Sequence, residues 1–164
     1  MSTLQVNTGK PYEIHIERGS LKNCGAYIKD ISRGKRAMII SDTNVFPLYG
    51  KTVTSSLTEN GFSVFSYVFT AGEAQKNITT VEQMYTTLIE NNFTRTDIIV
   101  ALGGGVTGDM AGFAAATFLR GIDFVQIPTS LLAQVDSSVG GKTGIDLPAG
   151  KNLVGAFRQP RLVL

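Results

Sequence analysis

The run Ile98-Ile99-Val100-Ala101-Leu102, followed directly by Gly103-Gly104-Gly105-Val106-Thr107-Gly108-Asp109, decides the fold. The apolar run predicts a buried strand, and the small apolar residues from Met110 to Leu119 predict a helix after the glycines. Free N–H groups and the positive end of a helix dipole favour an anion at such a turn, and glycine lets the anion approach the backbone. Of the 18 glycines, 11 lie between Gly103 and Gly155, which indicates a surface that cradles a ligand.

Apolar runs alternate with helical patterns upstream of this turn. Strands are predicted over 12–17, 36–41 and 62–69, and helices over 20–30 and 46–60, with another helix that starts at Asn77 or Thr79. The last of these carries an apolar stripe typical of a core-facing helix, made by Val81, Met84, Tyr85, Leu88 and Ile89. The alternation predicts an α/β fold, a Rossmann-like, doubly wound parallel sheet flanked by helices. At 164 residues the chain is expected to form one domain, over 1–164.

Polar residues follow two of the predicted strands. Asp42 and Asn44 come after the strand over 36–41, and the segment from Gly72 through Glu73 to Lys76 comes after the strand over 62–69. Such positions line the crevice where open α/β sheets bind ligands. Asp42 can accept hydrogen bonds from a ribose, or it can cap the helix that follows; the sequence leaves both interpretations open.

The glycine turn satisfies only part of the dinucleotide-binding fingerprint. Gly103, Gly105 and Gly108 fit G-x-G-x-x-G between a strand and a helix. The fingerprint also expects an acidic residue after the next strand, but the strand over 123–127 ends in Pro128-Thr129-Ser130. Asp42 or Glu73 could supply the missing carboxylate.

A second glycine-rich stretch carries polar side chains. Gly141-Lys142-Thr143 resembles the end of a P-loop, but Asp136 stands where that pattern needs its first glycine, which argues against an NTPase. The neighbouring cations and amide suit a phosphate or a carboxylate. The candidate set, in a stretch too rich in Gly, Ala and Val for a solvated face, is Arg120, Asp136, Lys142, Lys151 and Asn152, with Thr129 and Ser130 after a strand end.

Composition excludes several classes of function. The net charge is +2 and no basic run occurs, so no nucleic-acid partner is expected. No signal peptide or membrane span is recognised. The single Cys24 is expected to pack in the interior, which suits a cytoplasmic protein. His15, the only histidine, is expected at a solvated strand position rather than in a metal site.

The sequence resembles the N-terminal half of 3-dehydroquinate synthase, in the sugar-phosphate cyclase superfamily. With weaker matches at Asp42-x-Asn44 and Gly72-Glu73-x-x-Lys76, the resemblance covers nearly the whole chain. The resemblance rests on GGGVTGD at 103–109, RG at 120–121, PTSLLAQVDSSVGGK at 128–142 and GKN at 150–152. In that family an N-terminal NAD-binding α/β domain precedes a helical domain that carries most of a divalent metal site. The family converts a phosphorylated keto-sugar acid into 3-dehydroquinate and phosphate, in the shikimate route to aromatic amino acids. A homodimer is also expected.

The resemblance implies roles for individual residues. Asp136, Lys142 and Asn152 would face the substrate, and Arg120 would belong to a phosphate pocket, either its own or that of a neighbouring subunit. NAD would be bound by Asp42, Asn44, Gly72, Glu73, Lys76, Gly104, Gly105, Val106, Thr107, Gly108, Asp109, Thr129, Ser130, Lys142 and Lys151. No metal ligand is assigned within the chain; zinc or cobalt is expected only with the helical domain.

The chain departs from the family pattern in length, because family members are about twice as long. The resemblance therefore implies a fragment or isolated domain, able to bind NAD but inactive alone. Three alternatives stay open: a related sugar-phosphate cyclase, an NAD-dependent polyol or iron-type alcohol dehydrogenase, and a non-catalytic nucleotide-binding module. Net NADH accumulation with a polyol would favour the dehydrogenase.

Overall fold

The computed structural model describes residues 2–164 as an α/β protein built on a seven-stranded sheet. The strand order is β1-β2-β9-β6-β5-β3-β4. All pairs are parallel except β1 with β2. The strands are β1 (Ser2–Val6), β2 (Tyr12–Ile16), β3 (Arg36–Asp42), β4 (Ser63–Phe69), β5 (Ile98–Gly103), β6 (Asp123–Pro128) and β9 (Leu162–Val163). The predicted parallel α/β sheet is thus confirmed, with an antiparallel edge that the sequence did not reveal.

Four helices cover the two faces of the sheet: α1 (Cys24–Ile31), α2 (Phe46–Glu59), α3 (Ile78–Glu90) and α4 (Gly105–Thr117). Helices α1 and α2 share one buried cluster with β3, β5 and β6, while α3 and α4 share another cluster with the opposite face. The central strands β3 and β5 are buried on both faces, as their continuous apolar sequences predict. None of the helices within 2–164 has the length and apolarity that crossing a membrane requires.

The sequence located most helix boundaries correctly. Asn77 begins α3 by accepting a hydrogen bond from the Thr80 amide at 3.0 Å. Helix α2 ends at Glu59 and has Asn60 as its C-cap, followed by Gly61 with a φ of +90°. The apolar stripe of α3 is confirmed at Val81, Met84 and Leu88, whose side chains are buried.

Three expectations about individual segments were wrong. Ile89 is exposed, because α3 turns it away from the sheet that buries Leu88. His15 is buried rather than solvated, since the ring of Tyr27 from α1 packs edge-on against it, with ring centroids 4.8 Å apart. Helix α4 begins at Gly105, inside the glycine turn rather than after it.

A second, two-stranded sheet was not expected from the sequence. Strands β7 (Lys142–Leu147) and β8 (Gly150–Phe157) form an antiparallel hairpin. Helix α4 contacts both this hairpin and the main sheet, so Met110, Phe113 and Ala114 are all buried. A helix that is apolar all round, as α4 is, needs neighbours on more than one side.

Candidate functional site

The carboxyl ends of β3 and β5 form the crevice at which this sheet is expected to bind a ligand. The two strands are adjacent in the sheet, but the helices that follow them, α2 and α4, pack on opposite faces. Such a reversal of connections leaves a crevice at the carboxyl edge of a doubly wound sheet. The residues at this edge are Asp42, which ends β3, and Gly103, which ends β5.

The N-terminus of α4 opens into this crevice with its backbone amides available. Gly104 is the N-cap residue, and within residues 2–164 no side chain caps the helix and its first turn holds no acidic residue. A side chain at Gly104 would lie 3.4 Å from Ser130 Oγ, and one at Gly105 would lie 3.2 Å from Ser137 Oγ. Two serine hydroxyls therefore stand beside free N–H groups, an arrangement that suits a phosphate or diphosphate.

The residues of the glycine turn that follow Gly105 have structural roles. Thr107 and Gly108 are buried, while Val106 is half-buried. Gly108 packs where a larger residue would meet the Gln126 side chain at 2.6 Å. The third glycine of the fingerprint thus permits close packing of α4 on β6, as the dinucleotide-binding pattern expects.

Asp42 serves the turn that leads into α2. Its Oδ1 accepts hydrogen bonds from the amides of Asn44 at 2.9 Å and Val45 at 3.0 Å. The second oxygen accepts from Thr107 Oγ1 at 3.4 Å, which connects β3 to the start of α4. Asp42 thus orders the turn before α2, but the N-cap residue of α2 is Val45 and no side chain within residues 2–164 caps this helix, so the capping interpretation is not confirmed. Contact of Asp42 and the exposed Asn44 with a ribose stays a prediction.

A cleft of about 640 Å³ lies beside the N-terminus of α4. It brings together four predicted site residues from four segments: Asp109, Asp136, Lys142 and Asn152. Asp136, Lys142 and Asn152 are exposed, so their polar groups can meet a ligand. Other lining residues were not predicted from the sequence: Ser137, Val139, Gly140, Thr143, Gly144, Gly155, Ala156 and Phe157.

These unpredicted residues follow from two elements that the sequence did not reveal. Ser137 ends a single π-helical turn, Ala133–Ser137, which places Asp136 and Ser137 at the cleft. π-helical turns of this kind are frequent at functional sites. The other lining residues come from the loop before β7 and from the β7–β8 hairpin itself. The available signal was the run at 128–142 that carries the resemblance, which includes Ser137, Val139 and Gly140.

Lys76 forms a buried ion pair at the edge of the cleft. Its Nζ donates to Asp109 Oδ2 at 2.6 Å and to Asn152 Oδ1 at 2.7 Å, and only 6% of its side chain is exposed. Burial raises the pKa of Asp109, although the hydrogen bond and the charge of Lys76 act in the opposite direction. Lys76 thereby connects the loop after β4 to α4 and β8.

The remaining predicted residues lie outside this cleft. Lys151 and Glu73 form an exposed ion pair at 3.1 Å, next to Gly72 with its φ of +129°. Ser130 Oγ accepts from the Ala133 amide at 3.3 Å. Thr129 lines a different cavity, of about 530 Å³, at the carboxyl ends of β2, β6 and β9. Arg120 is exposed and does not line the cleft of its own chain, so a role in a neighbouring subunit stays a prediction.

Two other kinds of site do not fit the described residues. Lys142 begins a strand rather than a helix, so the segment is not a P-loop, which needs a helix at that point. Within residues 2–164, no group of three or more His, Cys, Asp and Glu side chains is placed to hold a metal ion. Cys24 is buried, and burial raises the pKa of its thiol, in agreement with a packing role.

Proteins with established names are similar to this chain in sequence, and solved structures are similar to it in fold. The proteins named 3-dehydroquinate synthase from Rippkaea orientalis and Streptococcus suis are 53% and 54% identical to this chain, over 152 and 154 residues. These alignments cover 93% and 94% of the chain but only 42% and 43% of the relatives. The chain therefore spans less than half the length of the curated relatives it matches.

Solved structures of sugar-phosphate cyclases superpose on the whole chain. A 2-deoxy-scyllo-inosose synthase complexed with carbaglucose-6-phosphate, NAD+ and Co2+ has a TM-score of 0.91 at 31% identity, covering 99% of this chain and 44% of that one. The 2-epi-5-epi-valiolone synthase of Streptomyces hygroscopicus, with NAD+ and Zn2+ bound, has a TM-score of 0.79 at 27% identity, covering 100% and 44%. Glycerol dehydrogenase of Schizosaccharomyces pombe, at 24% identity and a TM-score of 0.70 over 88% and 34%, shares the fold.

The family model described as 3-dehydroquinate synthase N-terminal matches residues 66–164, which include the glycine turn, the π-helical turn and the hairpin. Together with the identity of about one half over nearly the whole chain, this match shows that the chain belongs to the 3-dehydroquinate synthase family.

Proposed function

We propose that this chain is the NAD-binding part of a 3-dehydroquinate synthase. That enzyme converts 3-deoxy-D-arabino-heptulosonate 7-phosphate to 3-dehydroquinate and phosphate. The names of relatives at about one-half identity support the reaction. Two related cyclase structures that contain NAD+ support the cofactor.

One observation carries the proposal: the open N-terminus of α4 lies next to a cleft that gathers cationic, amide and carboxylate side chains. Gly104 and Gly105 leave room above the free amides, where the diphosphate of NAD would lie. The cleft adds Lys142, Asn152 and Asp136 around the space that remains. A dinucleotide and a phosphorylated substrate would thus be held side by side.

Two cleft residues, Lys142 and Asp136, have roles that suit their chemistry. Lys142 is an exposed cation and would bind the phosphate or carboxylate of the substrate as a point charge. Asp136 would accept hydrogen bonds from substrate hydroxyls. Bound NAD would supply reversible hydride acceptance, chemistry that amino-acid side chains lack.

The protein's metal, zinc or cobalt, is proposed to be held by residues other than those described here. Residues 2–164 contain no suitable group of ligands, so no step of the reaction is assigned to a metal on this chain. We accordingly expect the 164-residue chain alone to release no phosphate when it is given substrate, NAD and zinc. Release at the rate of a complete family member would contradict this expectation.

Calorimetric titration of the chain with NAD+ tests the cofactor site. Gly105→Val would place a branched side chain between the α4 amides and Ser137, so we expect the dissociation constant to rise at least about tenfold. Gly9→Val is the matched control, since Gly9 has open space around it. Equal affinities for NAD+ in Gly105→Val and the unaltered chain would rule out binding at this turn.

Activity assays on the whole protein, meaning the enzyme of which this chain is proposed to be the NAD-binding part, distinguish the candidate reactions. The identity of 31% to 2-deoxy-scyllo-inosose synthase favours a cyclase, whereas the dehydrogenase likeness, at 24%, shows the fold alone. Phosphate release from the heptulosonate phosphate without net NADH supports the proposed reaction, and NADH accumulation with glycerol would support a dehydrogenase. The homodimer and the cytoplasmic location stay predictions.

A further inference from the structure

The β7–β8 hairpin is irregular at the point where it reaches the cleft. Ile145 pairs with Val154 and Leu147 pairs with Gly150, so Asp146 alone lies opposite Lys151, Asn152 and Leu153. Such a bulge interrupts the ladder of hydrogen bonds and re-aims side chains, and bulges occur frequently beside active sites. Here the bulge contains Asn152, which lines the cleft.

The carboxylate of Asp146 replaces the ladder bond that the bulge removes. Asp146 Oδ1 accepts the backbone N–H of Asn152 at 2.7 Å, and the Asp146 amide donates to the Lys76 carbonyl at 2.8 Å. Asn152 has a φ of +55°, a conformation that asparagine tolerates better than most residues but does not prefer. The hydrogen bond from its amide therefore holds Asn152 in an otherwise unfavourable geometry.

A contact with Lys76 fixes the orientation of the side-chain amide of Asn152. Lys76 Nζ lies 2.7 Å from Asn152 Oδ1, and an ammonium group can only donate hydrogen bonds. The oxygen of Asn152 must therefore face Lys76, which leaves the NH2 group as the hydrogen-bond donor of a side chain that lines the cleft. Asp146, Asn152 and Lys76 thus form a closed ring of contacts, anchored to α4 through Asp109.

We propose that Asp146 is a positioning residue, which holds Asn152 in the bulge so that Asn152 presents an NH2 donor to the phosphorylated substrate. The role in substrate binding rests on the proposed function, whereas the hold on Asn152 does not. Asp146 is half-buried and does not line the cleft, so it acts through Asn152 and Lys76. An asparagine at 146 would keep the accepting oxygen, whereas an alanine would remove it.

Nuclear magnetic resonance on the 164-residue chain tests, independently of activity, whether Asp146 holds Asn152 in place. We expect the backbone amide proton of Asn152, although its residue is exposed, to exchange slowly with solvent because it is hydrogen-bonded. Asp146→Ala should speed this exchange at least about tenfold, while Asp146→Asn should preserve the slow exchange. Asp30→Ala, which removes an exposed carboxylate on α1, is the control for loss of one charge. Unchanged exchange in Asp146→Ala would overturn the proposal.

A double-mutant cycle on the whole protein tests whether Asp146 acts through Asn152. We expect Asp146→Ala to lower kcat/KM for the sugar phosphate at least about tenfold and Asp146→Asn to lower it less than about threefold. In an Asn152→Ala background, Asp146→Ala should have no further effect. Additive losses would contradict the positioning role. A whole protein without phosphate-releasing activity would overturn the proposed function, and the exchange measurement would still decide the hold on Asn152.

Discussion

The main sheet and the β7–β8 hairpin both pack against α4, but different forces hold them. Strands β3 and β5 are buried along their lengths, and the clusters around them consist of large apolar side chains. Strand β8 is almost wholly exposed, and it contributes Ala156 only at the margin of a cluster. The sheet supplies stability and the hairpin supplies functional groups, which is a common division between a rigid scaffold and the segments that carry a site.

The largest predicted effect concerns the apolar core of the sheet region. Leu88 on α3 is fully buried, while its neighbour Ile89 is 65% exposed. We expect Leu88→Ala to lower the free energy of unfolding by about 2–5 kcal/mol, because it removes buried methyl groups and leaves a cavity. Ile89→Ala should change it by less than about 0.5 kcal/mol. Urea denaturation of the two variants makes the measurement, and similar losses would contradict the assignment of the buried face.

The ion pair that joins the two regions should give the next largest effect. Lys76→Met leaves the Asp109 carboxylate without its cation in a largely buried position, so we expect a loss of about 3 kcal/mol in the free energy of unfolding. Lys151→Met is the matched control, since the Lys151–Glu73 pair is exposed and should contribute less than about 0.5 kcal/mol. Equal effects in urea denaturation would show that the buried pair does not hold the hairpin.

Close backbone approach should hold the two strands of the hairpin together, in addition to the burial of Ile145 on β7. Gly155 pairs with Gly144 across the strands, and a methyl group on Gly155 would collide with the carbonyl oxygen of Thr143. Because backbone atoms cannot swing aside, we expect Gly155→Ala to lower the free energy of unfolding by about 1–3 kcal/mol.

The control for this change is Gly9→Ala, since nothing lies within 4 Å of the position that its methyl group would occupy. It should alter the free energy of unfolding by less than about 0.5 kcal/mol. Thermal or urea denaturation compares the two variants. A Gly155→Ala variant as stable as Gly9→Ala would mean that the strands of the hairpin can separate without cost.

The same division explains how much could be predicted from sequence. Strands β3 and β5 carry continuous apolar runs, and α3 carries a helical stripe with its cap at Asn77, so local pattern and burial agree. The hairpin has no such pattern, because most of β8 faces away from the core. Its fold depends on contacts with distant residues, such as the hydrogen bond from Asp146 to Lys76, that local periodicity does not express.

The glycines show the limit of composition as a guide to the site. Their concentration indicates a surface that cradles a ligand, and Gly104 and Gly105 fit that interpretation. Gly112, Gly144 and Gly155 instead allow α4, β7 and β8 to approach one another closely. Composition cannot distinguish the two uses, because both require the absence of a side chain. Asp136, Lys142 and Asn152 do line one cleft. The glycine-rich stretch grouped them as candidates, but only the resemblance assigned them to a substrate, and that role stays a prediction.

The smallest predicted effect is the pH dependence contributed by Asp109. Burial raises the pKa of this carboxyl above its usual value of 3.8, and Lys76 opposes this rise. The folded chain therefore holds the Asp109 proton to a higher pH than the unfolded chain does. By linkage, the contribution of Asp109 to the free energy of unfolding falls as pH rises from about 3.8 until the raised pKa is passed. The fall is about 1.4 kcal/mol for each pH unit that separates the folded pKa from the unfolded pKa.

In the Asp109→Asn variant the side chain at position 109 cannot titrate. The variant therefore lacks this contribution to the dependence of the free energy of unfolding on pH. We expect the free energy of unfolding of the unaltered chain, minus that of Asp109→Asn, to decrease as the pH rises above about 4 in urea denaturation. The opposite trend would mean that attraction by Lys76 outweighs the desolvation of the carboxylate. In that case the ion pair would stabilise the junction between hairpin and sheet most strongly at neutral pH, and the pKa of Asp109 would lie below rather than above its usual value.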